Sequence, residues 1–124
     1  GLDWIRSCYG NPVANASTLE PSGPSDDGSW TWAAYLSTDR TVDRMSIREN
    51  LRFGQRIQSF NVSAVLENGT SVALTNGTSI GNRHIAIFRE PLRASKVVLV
   101  VKTAPSVKPF LDQFAVFSDE PCGL

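Results

Sequence analysis

From residue 57 to residue 66 the side chains alternate: Phe60, Val62, Ala64 and Leu66 fall on one side, Ser59, Asn61, Ser63 and Val65 on the other. A period of two matches the pleat of a half-buried strand and cannot give a helix one dry face. Two copies of Asn-Gly-Thr follow, at residues 68–70 and 76–78. Asn-Gly between apolar runs is the strongest short hairpin cue, because a type I′ turn needs positive φ at both central residues. The two copies therefore predict consecutive turns of one antiparallel meander spanning residues 57–88. Its returning strands are 71–74, with Val72 and Leu74 alternating, and 83–88, with Ile85 and Ile87 facing away from His84, Ala86 and Phe88.

Four further runs read as strands. Residues 29–36 are rich in aromatics, and 41–49 place Met45 and Ile47 on one face. Residues 96–102 enclose five consecutive apolar residues, the pattern of a strand buried on both faces, and 111–117 close the chain. The segment 10–29 is loop-like: Pro12, Pro21 and Pro24 break any regular helix there, and loops of that length often carry binding function. A helix over 39–57 would explain the spacing of Arg40, Arg44, Arg48, Arg52 and Arg56, but the apolar positions there hold no i, i+3, i+4 stripe. The expectation is all-β, an antiparallel β-sandwich of about eight short strands. At 124 residues it forms a single domain, 1–124.

Twelve basic side chains balance twelve acidic ones, so no net field favours nucleic acid or an anionic membrane. The longest apolar run, 97–101, is too short to span a bilayer. On a strand Arg40, Arg44 and Arg48 share a face, either as a solvated, ion-paired surface or as donors for an anionic or sugar ligand. Cys8 and Cys122 fit no zinc or redox spacing. They are expected to form a disulfide joining the two termini, which requires an oxidising compartment. Four N-glycosylation acceptor tripeptides, at Asn15, Asn61, Asn68 and Asn76, point the same way. The chain is thus expected to be secreted and extracellular. Its opening Gly1-Leu2-Asp3-Trp4 has no leader composition, so it reads as mature or excised from a longer precursor.

Several motifs in order carry a family resemblance. Arg48-Glu49-Asn50-Leu51-Arg52-Phe53-Gly54-Gln55-Arg56-Ile57 and Phe60-Asn61-Val62 resemble the galactose-binding-like β-sandwich (discoidin, or coagulation-factor 5/8 type C), a jelly roll. They are most similar to the version at the C-terminus of family 29 α-L-fucosidases. There a strand ending in an acidic residue precedes a Gly-Gln-Arg-Ile/Val step and a Phe-x-Val strand. The run from Gly77 through Ile80, Gly81 and Arg83 to Ile85 is similar to the family's Gly-Thr-Thr-Ile-Gly-x-Arg/Lys-x-Ile. Pro91 to Leu99 and Phe114 to Phe117 look like its last strands. The resemblance covers about residues 40–117. It implies a non-catalytic module, since the catalytic barrel of those hydrolases is a separate domain. It also implies a loop near a structural calcium, of which Asp26-Asp27-Gly28-Ser29-Trp30-Thr31-Trp32 is a shorter version.

With one histidine and no Ser-His-Asp or Cys-His constellation, the residues point to binding rather than catalysis. Glu49 and Asp112 are no better a carboxylate pair than any other. Sugars are held by aromatic faces and planar hydrogen-bonding side chains. Trp30, Trp32 and Tyr35 supply rings beside the long loop, and Arg83 and His84 supply donors after a turn. The alternatives are that both tryptophans are core and that His84 is structural. Fucose-binding lectins of related fold use a His with two Arg at set spacings, and Arg89 and Arg93 follow His84 too soon for that pattern. Asp26 and Asp27 suit calcium, or serve as turn formers. Glycans on both Asn-Gly turns would shield that end and shift weight to the loop before Trp30. Three functions are expected in order: a secreted module binding a glycan or glycoprotein, an accessory domain beside a catalytic barrel, and a self-assembling structural glycoprotein.

Overall fold

Alternation along the sequence becomes alternation of burial along the strands. The structure, a computed structural model, describes residues 14–15, 18–36, 41–81 and 83–117. Its strands are β1 (Ala14–Asn15), β2 (Ser29–Tyr35), β3 (Val42–Glu49), β4 (Ile57–Val65), β5 (Ser71–Gly77), β6 (His84–Leu92), β7 (Lys96–Thr103) and β8 (Leu111–Phe117). A short 3-10 turn, Leu51–Phe53, joins β3 to β4. Two four-stranded sheets result, ordered β1-β8-β3-β6 and β2-β7-β4-β5, with every pairing antiparallel. The fold is an all-β sandwich. Cys8, Cys122, Arg40 and residues 16–17 of the Asn15 acceptor lie outside the described residues.

The inner faces meet as a single core. Trp32, Ile57, Phe60, Val62, Val97, Leu99 and Val101 from one sheet face Val42, Met45, Ile47, Phe88, Phe114 and Val116 from the other. Each fully buried side chain of this size contributes about 1.5–3 kcal/mol. β7, the strand expected to be dry on both faces, alternates instead. Val97, Leu99 and Val101 are fully buried, while Val98 and Val100 are half-covered. Beta-branched residues tolerate that outer face because a central strand is flanked on both sides, here by β2 and β4.

The meander expected over 57–88 is only half present. β4 and β5 form a hairpin, but β5 and β6 belong to different sheets, so the chain crosses the sandwich between Gly77 and His84. Buried Ile80 seats that crossing, and the Gly81 carbonyl accepts the Glu49 amide at 3.1 Å. The first Asn-Gly does turn the chain. Gly69 takes φ 85° and its amide donates to the Leu66 carbonyl at 2.9 Å, while the Thr70 amide donates to Asn68 Oδ1. Asn68 is not among the residues with positive φ, so the turn is not type I′. The second Asn-Gly is no turn at all: Asn76 pairs with Asn61 and Gly77 with Phe60 inside β5. Gly77 is needed because an added Cβ would sit 2.7 Å from the Phe60 ring.

The β3–β4 link is held by a buried carboxylate. Glu49 is 2% exposed, and its Oε2 accepts the amides of Arg56 at 2.6 Å and Ile57 at 3.1 Å. Asn50 caps the 3-10 turn, accepting the Arg52 amide. The four-residue arginine spacing is split among these elements. Arg44 and Arg48 alternate with buried Met45 and Ile47 on β3, and the Arg44 guanidinium lies 5.4 Å from the Phe117 ring centroid. Arg52 falls in the turn, and Arg56 donates to the Lys108 carbonyl at 3.2 Å. Among the described residues no helix is long and apolar enough to cross a membrane.

Two substitutions test this account by urea unfolding. Gly77→Ala forces a methyl against a fixed core ring and is expected to cost about 1–3 kcal/mol. Glu49→Ala leaves two backbone donors without their charged acceptor and is expected to cost roughly 2–3 kcal/mol. Unchanged midpoints would contradict each assignment.

Candidate functional site

The long loop ends in a turn built around one carboxylate. Ser22 and Thr31 exchange backbone hydrogen bonds at 2.8 and 2.9 Å, and Ser25 and Gly28 close the tip. Asp27 Oδ1 then accepts from the hydroxyl of Ser25, the hydroxyl of Ser29 at 2.7 Å and the amide of Ser29 at 3.0 Å. These donors hold the Asp27 carboxyl far below the usual carboxylate range, the Ser25 hydroxyl contributing most and Lys102 adding a smaller Coulombic pull. Lys102 Nζ lies 4.0 Å from Oδ2, a distance worth little between exposed groups.

Beside this turn lies an open cleft of about 420 Å³, lined by Pro24, Asp26, Asp27, Trp30, Lys102, Thr103, Pro105 and Ser106. Trp30 is half-buried, with part of its ring packed on the core and part lining the cleft. One aromatic surface, two acidic acceptors, an ammonium and two hydroxyls make a site suited to a polyhydroxylated ligand. They do not make a nucleophile with a positioned base. Nor do the donors fit calcium. Asp27 Oδ1 already accepts three hydrogen bonds, Oδ2 faces an ammonium, and no group of three acidic, His or Cys side chains gathers among the described residues. Asp27 acts here as a turn former.

The remaining candidates are dispersed. Trp32 is 2% exposed and its indole N–H donates to the Leu19 carbonyl at 3.0 Å, a core side chain with a satisfied donor. Tyr35 stands at the other end of β2 on its outer face, 62% exposed, with Lys96 Nζ 5.9 Å from its ring centroid. His84 points inward, its ring edge-to-face with Phe60 at 5.0 Å, while Arg83 is exposed. β2 is the edge of one sheet, against β1 and β8, and β6 is the far edge of the other. Trp30 and the Arg83–His84 pair are therefore separated by the width of the sandwich. Glu49 is buried with Oε2 on two backbone amides and Oε1 without a hydrogen-bond partner, whereas Asp112 is exposed on β8, so the two carboxylates have different environments. Asn61, Asn68 and Asn76 are all exposed.

Sequence reasoning missed Lys102, Thr103 and Ser106. Lys102 reaches the loop only because its strand pairs in register with Ser29. Ser25 and Ser29, two residues before and after Asp27, carried a readable signal: hydroxyls at those offsets form Asx-type turns.

No protein-family model matches the chain, and no curated protein matches it. Solved structures do. A protein assigned as an α-L-fucosidase from Bacteroides thetaiotaomicron is 27% identical with TM-score 0.70, over 94% of this chain and 24% of that one. The Ruminococcus gnavus GH29 fucosidase E1_10125, solved with fucose, is 24% identical with TM-score 0.66, over 73% of this chain and 18% of that one. An allantoicase shares the fold at 16% identity and TM-score 0.60, over 89% of this chain and 34% of that one. The chain thus spans about a quarter or less of these two fucosidase structures. The allantoicase makes the fold alone an insufficient guide to ligand.

The Asp27 turn carries a pH signature. Its folded-state pKa is depressed, so its contribution is complete above the unfolded value of about 4 and is lost as pH falls toward the folded value. Asp27→Asn is therefore expected to lower Tm at pH 7, with the deficit shrinking in a thermal series taken below pH 4. A deficit independent of pH would show that the charge is immaterial.

Proposed function

We propose that this chain is the non-catalytic accessory β-sandwich of an α-L-fucosidase-like glycoside hydrolase, sitting beside a separate catalytic barrel in a parent chain. The observation that carries this reading is the likeness over 94% of the chain to a fucosidase structure of which it fills only 24%. The exposed surface agrees. Ile85 and Ile87 point outward from edge strand β6, 55% and 80% exposed, beside the outer face of β3 that carries Arg44 and Arg48. Two adjacent bare isoleucines on a sheet face are what an interdomain contact uncovers. On this reading the parent is secreted, Cys8 and Cys122 join the termini, and the acceptor asparagines carry glycans.

The test is made in the full-length parent. Replacing Ile85 and Ile87 by Ser is expected to lower the temperature at which hydrolysis of an aryl fucoside is lost by several degrees. The isolated sandwich, which loses only exposed side chains, keeps its own transition. Unaltered heat inactivation in the parent, or a reading frame encoding no hydrolase, overturns the proposal.

The cleft at Trp30 favours a second role, glycan binding by the same domain. Glycan-array binding that Lys102→Ala and Asp26→Ala each weaken about tenfold, a loss of about 1.4 kcal/mol, would support it. Silence across the array, or binding indifferent to both changes, counts against it.

A further inference from the structure

Asn61 and Asn76 belong to separate acceptor tripeptides, Asn61-Val62-Ser63 and Asn76-Gly77-Thr78, fifteen residues apart in sequence. In the fold they are direct partners across the β4–β5 hairpin. Both are exposed, on the outer face of their sheet. Residues directly opposite in an antiparallel pair hold their Cβ atoms about 4.5–5.5 Å apart. A single N-acetylglucosamine, with its ring hydroxyls and acetamide, is as broad as that gap, and the sugars beyond it branch.

We infer that Asn61 and Asn76 form one composite glycosylation site that accepts a single glycan. The two positions are not equivalent. β5 is the edge strand, so a glycan on Asn76 has open solvent on one side. Asn61 sits on an inner strand, between Asn76 on β5 and Val100 on β7. A glycan there must rise between neighbours, so Asn76 is the preferred carrier. Asn68, in the turn at the hairpin tip, is independent of the pair. Its side-chain oxygen accepts the Thr70 amide, leaving the amide nitrogen for attachment. The outcome is a face of the β2-β7-β4-β5 sheet covered by one glycan and therefore unsuited to close contact with another domain.

This inference rests on the secreted reading above, and the sequence supplies a convenient readout. No Lys or Arg lies between Arg56 and Arg83, so the tryptic peptide 57–83 carries all three asparagines. In the full-length protein secreted by eukaryotic cells, mass spectrometry of that peptide is expected to find at most two glycans, one of them on Asn68. Asn76→Gln is expected to shift the pair's glycan to Asn61, and Asn68→Gln to leave one glycan per peptide. A substantial population with three glycans overturns the inference. So does a pair left bare while Asn68 is modified. A peptide bare at all three positions overturns the secreted reading first, and the composite site with it.

Discussion

The carboxylate of Glu49 joins the two halves of this protein. It sits where the chain leaves one sheet, and it grips the amides of Arg56 and Ile57 where β4 enters the other. The backbone on either side is tied as well, Glu49 to Gly81 and Asn50 to Phe110. Three connections between the sheets thus converge on two residues: the β3–β4 link, the β5–β6 crossing and the approach to β8. A buried carboxylate is tolerated when backbone donors meet it. Here both donors meet the same oxygen, Oε2, just where Ile57 begins its pairing with Thr103 on β7. The acidic residue followed by Gly-Gln-Arg-Ile is, in physical terms, a clamp on a sheet-to-sheet crossover.

With that clamp in place the two ends and two faces of the sandwich differ. One face of the β2-β7-β4-β5 sheet is polar and carries Asn61 and Asn76. The opposite outer face carries Ile85, Ile87, Arg44 and Phe117. The cleft beside Trp30 opens at a strand end, bordered by the Asp27 turn and Lys102. The apolar outer face proposed for docking, the face with the acceptor asparagines and the cleft at a strand end are thus separated in space. That separation is why the proposed accessory role and a glycan-binding role are compatible.

Much of the fold was legible. The strands over 29–36, 41–49, 57–66, 96–102 and 111–117 stood out because period-two alternation and turn residues report burial directly. The second Asn-Gly misled for a definite reason. The dipeptide signals a turn because both residues accept positive φ, but Gly77 was required for a different property, the absence of a Cβ against Phe60. The candidate site was legible only in part. Trp30, Asp26 and Asp27 could be named from the loop, whereas Lys102 came from a strand more than seventy residues away. Arg83 and His84 were grouped with the tryptophans by chemistry alone, and sheet order places them at the far edge.

The amino-acid sequence by itself determined the class: short alternating runs, balanced charge and a proline-rich lead-in permit an antiparallel sandwich and little else. Pattern is local, and burial on a pleat is read two residues at a time. The tertiary structure alone decided that β5 and β6 part company, that Asn61 meets Asn76, and that Lys102 joins the Asp27 turn. Each of these depends on which strand lies beside which. That order is chosen by the shape of the shared core and by long-range ties such as the Glu49 amide to the Gly81 carbonyl.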